Sequence, residues 1–173
     1  MLIPMVRLSQ FIPPFSIAHF SHTLLCPDLV RIAAALAVAA YALSLKEGEF
    51  ATFVKSSLLL SDKTLTWEQR HGAALATCTL IKDSPATITQ NPEVAPLLLE
   101  YLKVSVMDDK VQVSQASVIT IRHYLNSDPK IAAEAGPALV PLIVKVINEK
   151  PFDAKKAAVV SLKEIAKHSP SVS

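Results

Sequence analysis

Thr66-Trp67-Glu68-Gln69-Arg70-His71-Gly72-Ala73-Ala74-Leu75-Ala76 is the stretch that decides the fold, because its helical pattern returns in three other places at nearly constant spacing. Arg31 with Ala34, Arg70 with Ala73, Val113 with Ala116 and Lys155 with Ala158 keep one three-residue offset, and successive starts lie 39, 43 and 42 residues apart. A single helix pair cannot bury its own apolar face, so repeated pairs must stack around a continuous core. Two-helix units with a period of roughly 40–47 residues are the signature of α-solenoids of HEAT or armadillo type. The fold class expected is therefore all-α: about three helix pairs plus one helix.

The helices on either side of this stretch follow from their punctuation. Pro27-Asp28-Leu29 opens a helix that runs to about Leu45, where Lys46-Glu47-Gly48 should stop it. A second runs from about Glu49 to Leu60, and the third from about Thr66 to Lys82, before Asp83-Ser84-Pro85. Asn91 is placed to cap the next helix, through Leu102. That block has a twin 45 positions on, Gly136-Pro137-Ala138-Leu139-Val140-Pro141 to Ile147, preceded by a separate short helical piece near Lys130 to Ala135. Between the twins lies an amphipathic helix from Asp109 to Asn126, and a last helix spans Pro151 to Lys167. That last helix has no second member, so its apolar residues Val159, Leu162 and Ile165 should be partly exposed.

Composition agrees with helices. Of 173 residues 51% are hydrophobic and only three are glycine, which suits a cored helical domain and not a turn-dense β protein. The domain organisation expected is an irregular segment over residues 1–26, a repeat array over 27–168 and a tail over 169–173. In the first segment Phe11-Ile12-Pro13-Pro14-Phe15 breaks any helix, and the paired prolines with His19 and His22 interrupt the outline of a signal peptide after Arg7. The longest apolar run, Ile32 to Leu45, is shorter than the roughly 20 residues of a membrane span, so no membrane is expected. Cys26 and Cys78 lie far apart with no ligand-type spacing, which excludes a zinc motif or disulfide framework and fits a reducing, cytoplasmic setting.

Nothing in the chain converges on catalysis. His71 beside Arg70, and His123 beside Arg122, lack a nucleophile or orienting carboxylate at a spacing that would meet them, and there is no Gly-rich phosphate loop. No enzyme activity, cofactor or metal is expected. The better use of Arg70 is an ion pair to an acidic residue of the adjacent layer, for which Asp62, Glu68 and Asp109 are available. The net charge of +2 is unevenly spread, with seven basic and ten acidic residues over 27–109 but seven and four over 130–173. Lys156, Lys163 and Lys167 share one helical face, a solvated strip or a contact for ribosomal RNA or an acidic protein surface.

Trp67-Glu68-Gln69-Arg70-His71-Gly72-Ala73-Ala74-Leu75-Ala76 resembles a HEAT repeat in the C-terminal region of the general-control translational activators. Members of that family carry a tryptophan, then arginine-histidine-glycine, then an Ala- and Leu-rich helix. The resemblance extends from about residue 27 to 168. It implies a fragment of a cytoplasmic, stress-responsive scaffold that binds ribosomes and recruits the amino-acid-starvation kinase of initiation factor two alpha through its RWD domain. On this basis Trp67, Arg70, His71 and Gly72 carry the family motif and the packing between repeats, while Arg31, Arg122, Lys156, Lys163 and Lys167 are the candidate partner contacts. The alternative is a generic HEAT adaptor of transport, tubulin or phosphatase-scaffold type, although the loop from Ser61 to Leu65 offers tubulin only Asp62 and Lys63.

Overall fold

The computed structural model describes residues 28–59 and 62–168, so what was expected of residues 1–26 and 169–173 lies outside the described residues. Eight helices follow one another among them: α1 (Asp28–Ser44), α2 (Glu47–Ser57), α3 (Trp67–Asp83), α4 (Pro85–Thr89), α5 (Ala95–Ser105), α6 (Val111–Ser127), α7 (Pro129–Glu149) and α8 (Phe152–His168). The described residues contain no strand. The protein is an all-α solenoid, as the period requires.

Four outer helices, α1, α3, α6 and α8, stack side by side in one row, while α2, α5 and α7 cover the row from the inner side and α4 bridges α3 to α6. Small residues make the row possible: Ala35, Ala39 and Ala42 of α1, Ala73, Ala74 and Ala76 of α3, Ala116 of α6, and Ala154 and Ala158 of α8 are all buried. Between the row and the inner helices lies one continuous core, in which Leu58, Leu80, Ile81, Leu98, Leu102, Ile121, Leu125, Leu139 and Ile143 are fully buried. Each such side chain contributes about 1.5–3 kcal/mol of burial.

Local signals account for the helix ends, with three corrections. α1 ends at Ser44, one residue before the expected Leu45, its hydroxyl donating to the Tyr41 carbonyl (2.7 Å), but α2 starts earlier than Glu49, with Glu47 and Gly48 already in its first turn. Glycine is tolerated there because first-turn amides lack intrahelical partners in any case. The short helix α4 after Pro85 was not anticipated. The separate piece near Lys130 to Ala135 does not exist: α7 is one helix of 21 residues containing both Pro137 and Pro141. Each ring removes a donor to the carbonyl four residues back, at residues 133 and 137. Both prolines and both of those residues are exposed, so solvent can satisfy the carbonyls.

Because α7 is continuous, it is also long and apolar enough to cross a membrane by length and composition alone. Its inner side, with Ala132, Ala135, Leu139, Ile143 and Val146, is buried in the solenoid core, while Lys130, Glu134, Lys145 and Glu149 stay exposed. It is a core helix.

Gly72 occupies the interior of α3 with no positive φ to require it, and a Cβ there would meet no atom within 4 Å. The packing role that the sequence suggests for this glycine therefore has no neighbour to act on. Gly72→Ala is expected to stabilise the chain by about 0.5–1 kcal/mol through helix propensity, raising Tm by about 1–4 °C in a thermal melt.

Candidate functional site

The N-terminal ends of the outer helices are where the layers are tied together. Thr66 and Gln69 form a capping box on α3, the Thr66 amide donating to Gln69 Oε1 (2.9 Å) and the Gln69 amide to Thr66 Oγ1 (3.3 Å). This fixes the first turn and aims Arg70 at the loop between α5 and α6. There Arg70 Nε donates to Asp108 Oδ2 (2.8 Å) and Nη2 to Asp108 Oδ1 (3.1 Å), a two-pronged pair in which both side chains are only 5% exposed. Nη2 also reaches Asp109 Oδ1 (3.1 Å), and Nη1 donates to the Leu65 carbonyl (2.7 Å).

Asp108 is the principal partner and was missed, because Asp109 beside it is equally acidic and one-dimensional spacing cannot tell which carboxylate turns inward. Asp62 and Glu68 do not pair with Arg70; Asp62 instead accepts from the Thr64 amide (2.8 Å) in its own loop. The Asp108 loop has the same turn, its Oδ1 accepting from the Lys110 amide (2.9 Å). Burial pushes the Asp108 carboxyl up, but the Arg70 and Lys110 donors and the Arg70 charge outweigh it and hold the group below its ordinary value. The same pairing raises Arg70. From the next layer Lys150 Nζ donates to the carbonyls of Met107 (3.1 Å) and Asp108 (2.6 Å), so a single loop is gripped from both sides.

Trp67 and His71 lie one turn apart on α3 with ring centroids 6.2 Å apart and planes at 25°. The Arg31 guanidinium of α1 sits 5.4 Å from the centre of a Trp67 ring, a cation–π contact that joins the first two layers. Arg31, proposed from sequence as a partner contact, is thus engaged within the protein.

Arg122 and His123 lie in the C-terminal half of α6, half-buried, with Arg122 Nη2 3.2 Å from His123 Nε2. Burial, then the charges of Arg122 and Lys82, hold His123 below its ordinary pKa. Cys78 is close by, and burial raises its thiol despite Arg122 and Lys82, so it is a poor nucleophile. On α8, Lys156, Lys163 and Lys167 are exposed, and Lys167 pairs with Glu164 (2.9 Å). Val159 is 54% exposed and Leu162 half-buried, but Ile165 is only 3% exposed. Ile165 is a correction: together with Ala154, Ala158 and Ser161 it forms the side of α8 that packs onto the row. No group of three or more metal-ligating side chains occurs among the described residues.

Two outcomes test this geometry. Asp108→Asn removes the buried counter-charge and leaves Arg70 only the exposed Asp109, which should destabilise the chain by up to about 3–5 kcal/mol in urea unfolding, whereas Arg70→Met with Asp108→Leu should recover most of that loss. Because the Asp108 pKa is lowered on folding, its contribution is present above about pH 4, the ordinary carboxylate value, and is lost as pH falls through the lowered pKa; the double variant should flatten that acid limb. Separately, Arg122→Gln should move the His123 midpoint upward in an NMR titration, since one of the cations that hold it down is removed.

The comparisons with known proteins agree with the architecture. The family described as GCN1-like, C-terminal HEAT repeats matches residues 70–173, more than half of the chain. Protein ILITYHIA of Arabidopsis thaliana is 25% identical over 83% of the chain, and the chain spans only 5% of that protein's length. No solved structure matches. With stacked helix pairs, a cross-layer arginine clamp and this match in place, the chain belongs to the GCN1-like family of C-terminal HEAT repeats.

Proposed function

We propose that the chain is a non-catalytic segment of a cytoplasmic translational-control scaffold, one that contacts the ribosome and the RWD domain of the amino-acid-starvation kinase. Membership of the GCN1-like C-terminal HEAT repeats carries this proposal. The fold is suited to it. Repeat arrays act through extended surfaces built by rigid stacking, and the Arg70–Asp108–Lys150 clamp holds three layers in fixed relation. Arg122 and the α8 lysines are left on the outer side, where a partner can reach them. Activation of the kinase by so short a segment is a separate matter from binding it, since the chain corresponds to 5% of its relative.

The test is direct. Purified chain should retain the RWD domain in a pull-down and co-sediment with ribosomes, the ribosomal fraction falling as salt rises. Loss of both interactions at low salt, with the chain folded by circular dichroism, overturns the proposal and leaves a HEAT adaptor of another class.

A further inference from the structure

The four outer helices share an order of small and large apolar residues on their outward side. Five residues beyond the first residue of each stand Ala33, Gly72, Ala116 and Ala157. Eight residues beyond stand Leu36, Leu75, Ile119 and Val160, none of them buried: Leu36 is 51% exposed, Val160 44%, and the other two half-buried. Leu75 of α3 leans against Ala116 of α6, so the large residue of one helix meets the small residue of the next. The result is a line of half-exposed and exposed apolar side chains on the outer face, beside small residues of which Ala116 is buried and Gly72 is open, since a Cβ there would meet nothing within 4 Å.

Charge borders this stripe differently on its two sides. One position beyond the four helix starts stand Leu29, Glu68, Gln112 and Asp153, and the exposed Lys110 and Lys156 lie on the same side, so this edge carries both signs of charge. Toward the helix ends stand Lys82, Arg122, Lys163 and Lys167. Asp83 and Glu164 lie there too, but Glu164 pairs with Lys167, and Lys82, Arg122 and Lys163 have no ion-pair partner among the described residues.

We propose that this stripe is a docking track for one amphipathic helix of a partner protein, seated on Leu36, Leu75, Ile119 and Val160 with its carboxylates over Lys82, Arg122 and Lys163. The inference rests on the chain being an interaction scaffold but not on which protein it recruits. A helix is the occupant because a helical surface has no free backbone edge, and an extended segment laid on apolar side chains would leave its own amides and carbonyls unsatisfied. Four helices spaced about 8–10 Å apart make a track of roughly 25–30 Å, which a helix of about 17–20 residues spans at 1.5 Å per residue. Nucleic acid suits the stripe poorly, since its centre is aliphatic and offers no aromatic platform for bases.

The experiment is a selection of helices from a phage-displayed library of amphipathic helices, randomised at all surface positions, against the full chain. The selected helices should share an apolar stripe flanked by Glu or Asp on one side, and their NMR footprint should fall on α1, α3, α6 and α8. Leu36→Ser with Val160→Ser should weaken the best binder about tenfold or more, and Lys82→Glu with Lys163→Glu should do so in a salt-dependent way, all with unchanged Tm. Gly72→Leu fills the open position and should weaken binding while raising Tm, opposite signs that a purely structural glycine would not give. Binders that map elsewhere or survive all three changes overturn the proposal, as does a footprint on this stripe from single-stranded RNA or anionic vesicles but from no helix. Retention of the RWD domain or ribosomes by the Leu36→Ser, Val160→Ser variant sinks the track as their site while leaving the scaffold function intact.

Discussion

Parallel helices can lie side by side in a row only if one of each pair of facing side chains is small. In this chain alanine meets that constraint in every outer helix, with Ala35 and Ala39 in α1, Ala74 and Ala76 in α3, Ala116 in α6, and Ala154 and Ala158 in α8 buried in the row. Alanine is also the best helix former, so the residue that lets layers approach is the one that keeps each layer helical. The large side chains are thereby displaced inward, where Leu98, Leu102, Leu139 and Ile143 from the inner helices meet Leu80, Ile121 and Leu125 from the row. Core and surface thus follow from one choice of residue size.

Most of the architecture was legible because it is periodic. The offset of Arg70 to Ala73 and its counterparts located all four outer helices, whereas Asn91 closes the turn before α5 and does not cap the helix itself: its Oδ1 accepts from the amides of Glu93 (3.0 Å) and Val94 (3.1 Å), and the N-cap position is Val94. What failed were features with a competing local signal. Pro137 and Pro141 argued for a break in α7, yet a proline is costly inside a helix mainly when the carbonyl it orphans is buried, and here the residues that bear those carbonyls are exposed. Asp108 and Asp109 were indistinguishable by residue type. Only the turn closed by the Lys110 amide decides that Asp108 points inward. Ile165 is half a helical turn from the exposed Lys163, a difference that depends on the azimuth of α8, which packing sets.

The clamp illustrates what a buried ion pair does in a repeat protein. Replacement of such a pair by well-fitted apolar groups is often neutral or stabilising, so stability alone gives no reason to keep Arg70 and Asp108 at 5% exposure. Apolar contacts, however, tolerate sliding, and a row of alanine-faced helices has little to stop one layer slipping against the next by a turn. A fork of two donors on one carboxylate, with a third prong on Leu65 and Lys150 closing from the following layer, is satisfied in one register only. The clamp therefore specifies alignment where the apolar core does not.

Alignment matters beyond the fold, because the outer face is assembled from one residue per layer. Leu36, Leu75, Ile119 and Val160 come from four helices separated by long stretches of sequence, and they form a line only while the layers keep their register. A slip of one turn would set Leu75 level with a different residue of α6 in place of Ala116. The polar clamp at one end of the helices and the partly exposed apolar residues across their middle are then two parts of one arrangement. The first contributes register and little net stability, and the second has value only if register is kept. Gly72 fits the same logic: it is a helix-weakening residue that no internal contact requires. In a protein whose internal packing is otherwise complete at that point, the space it leaves is directed outward.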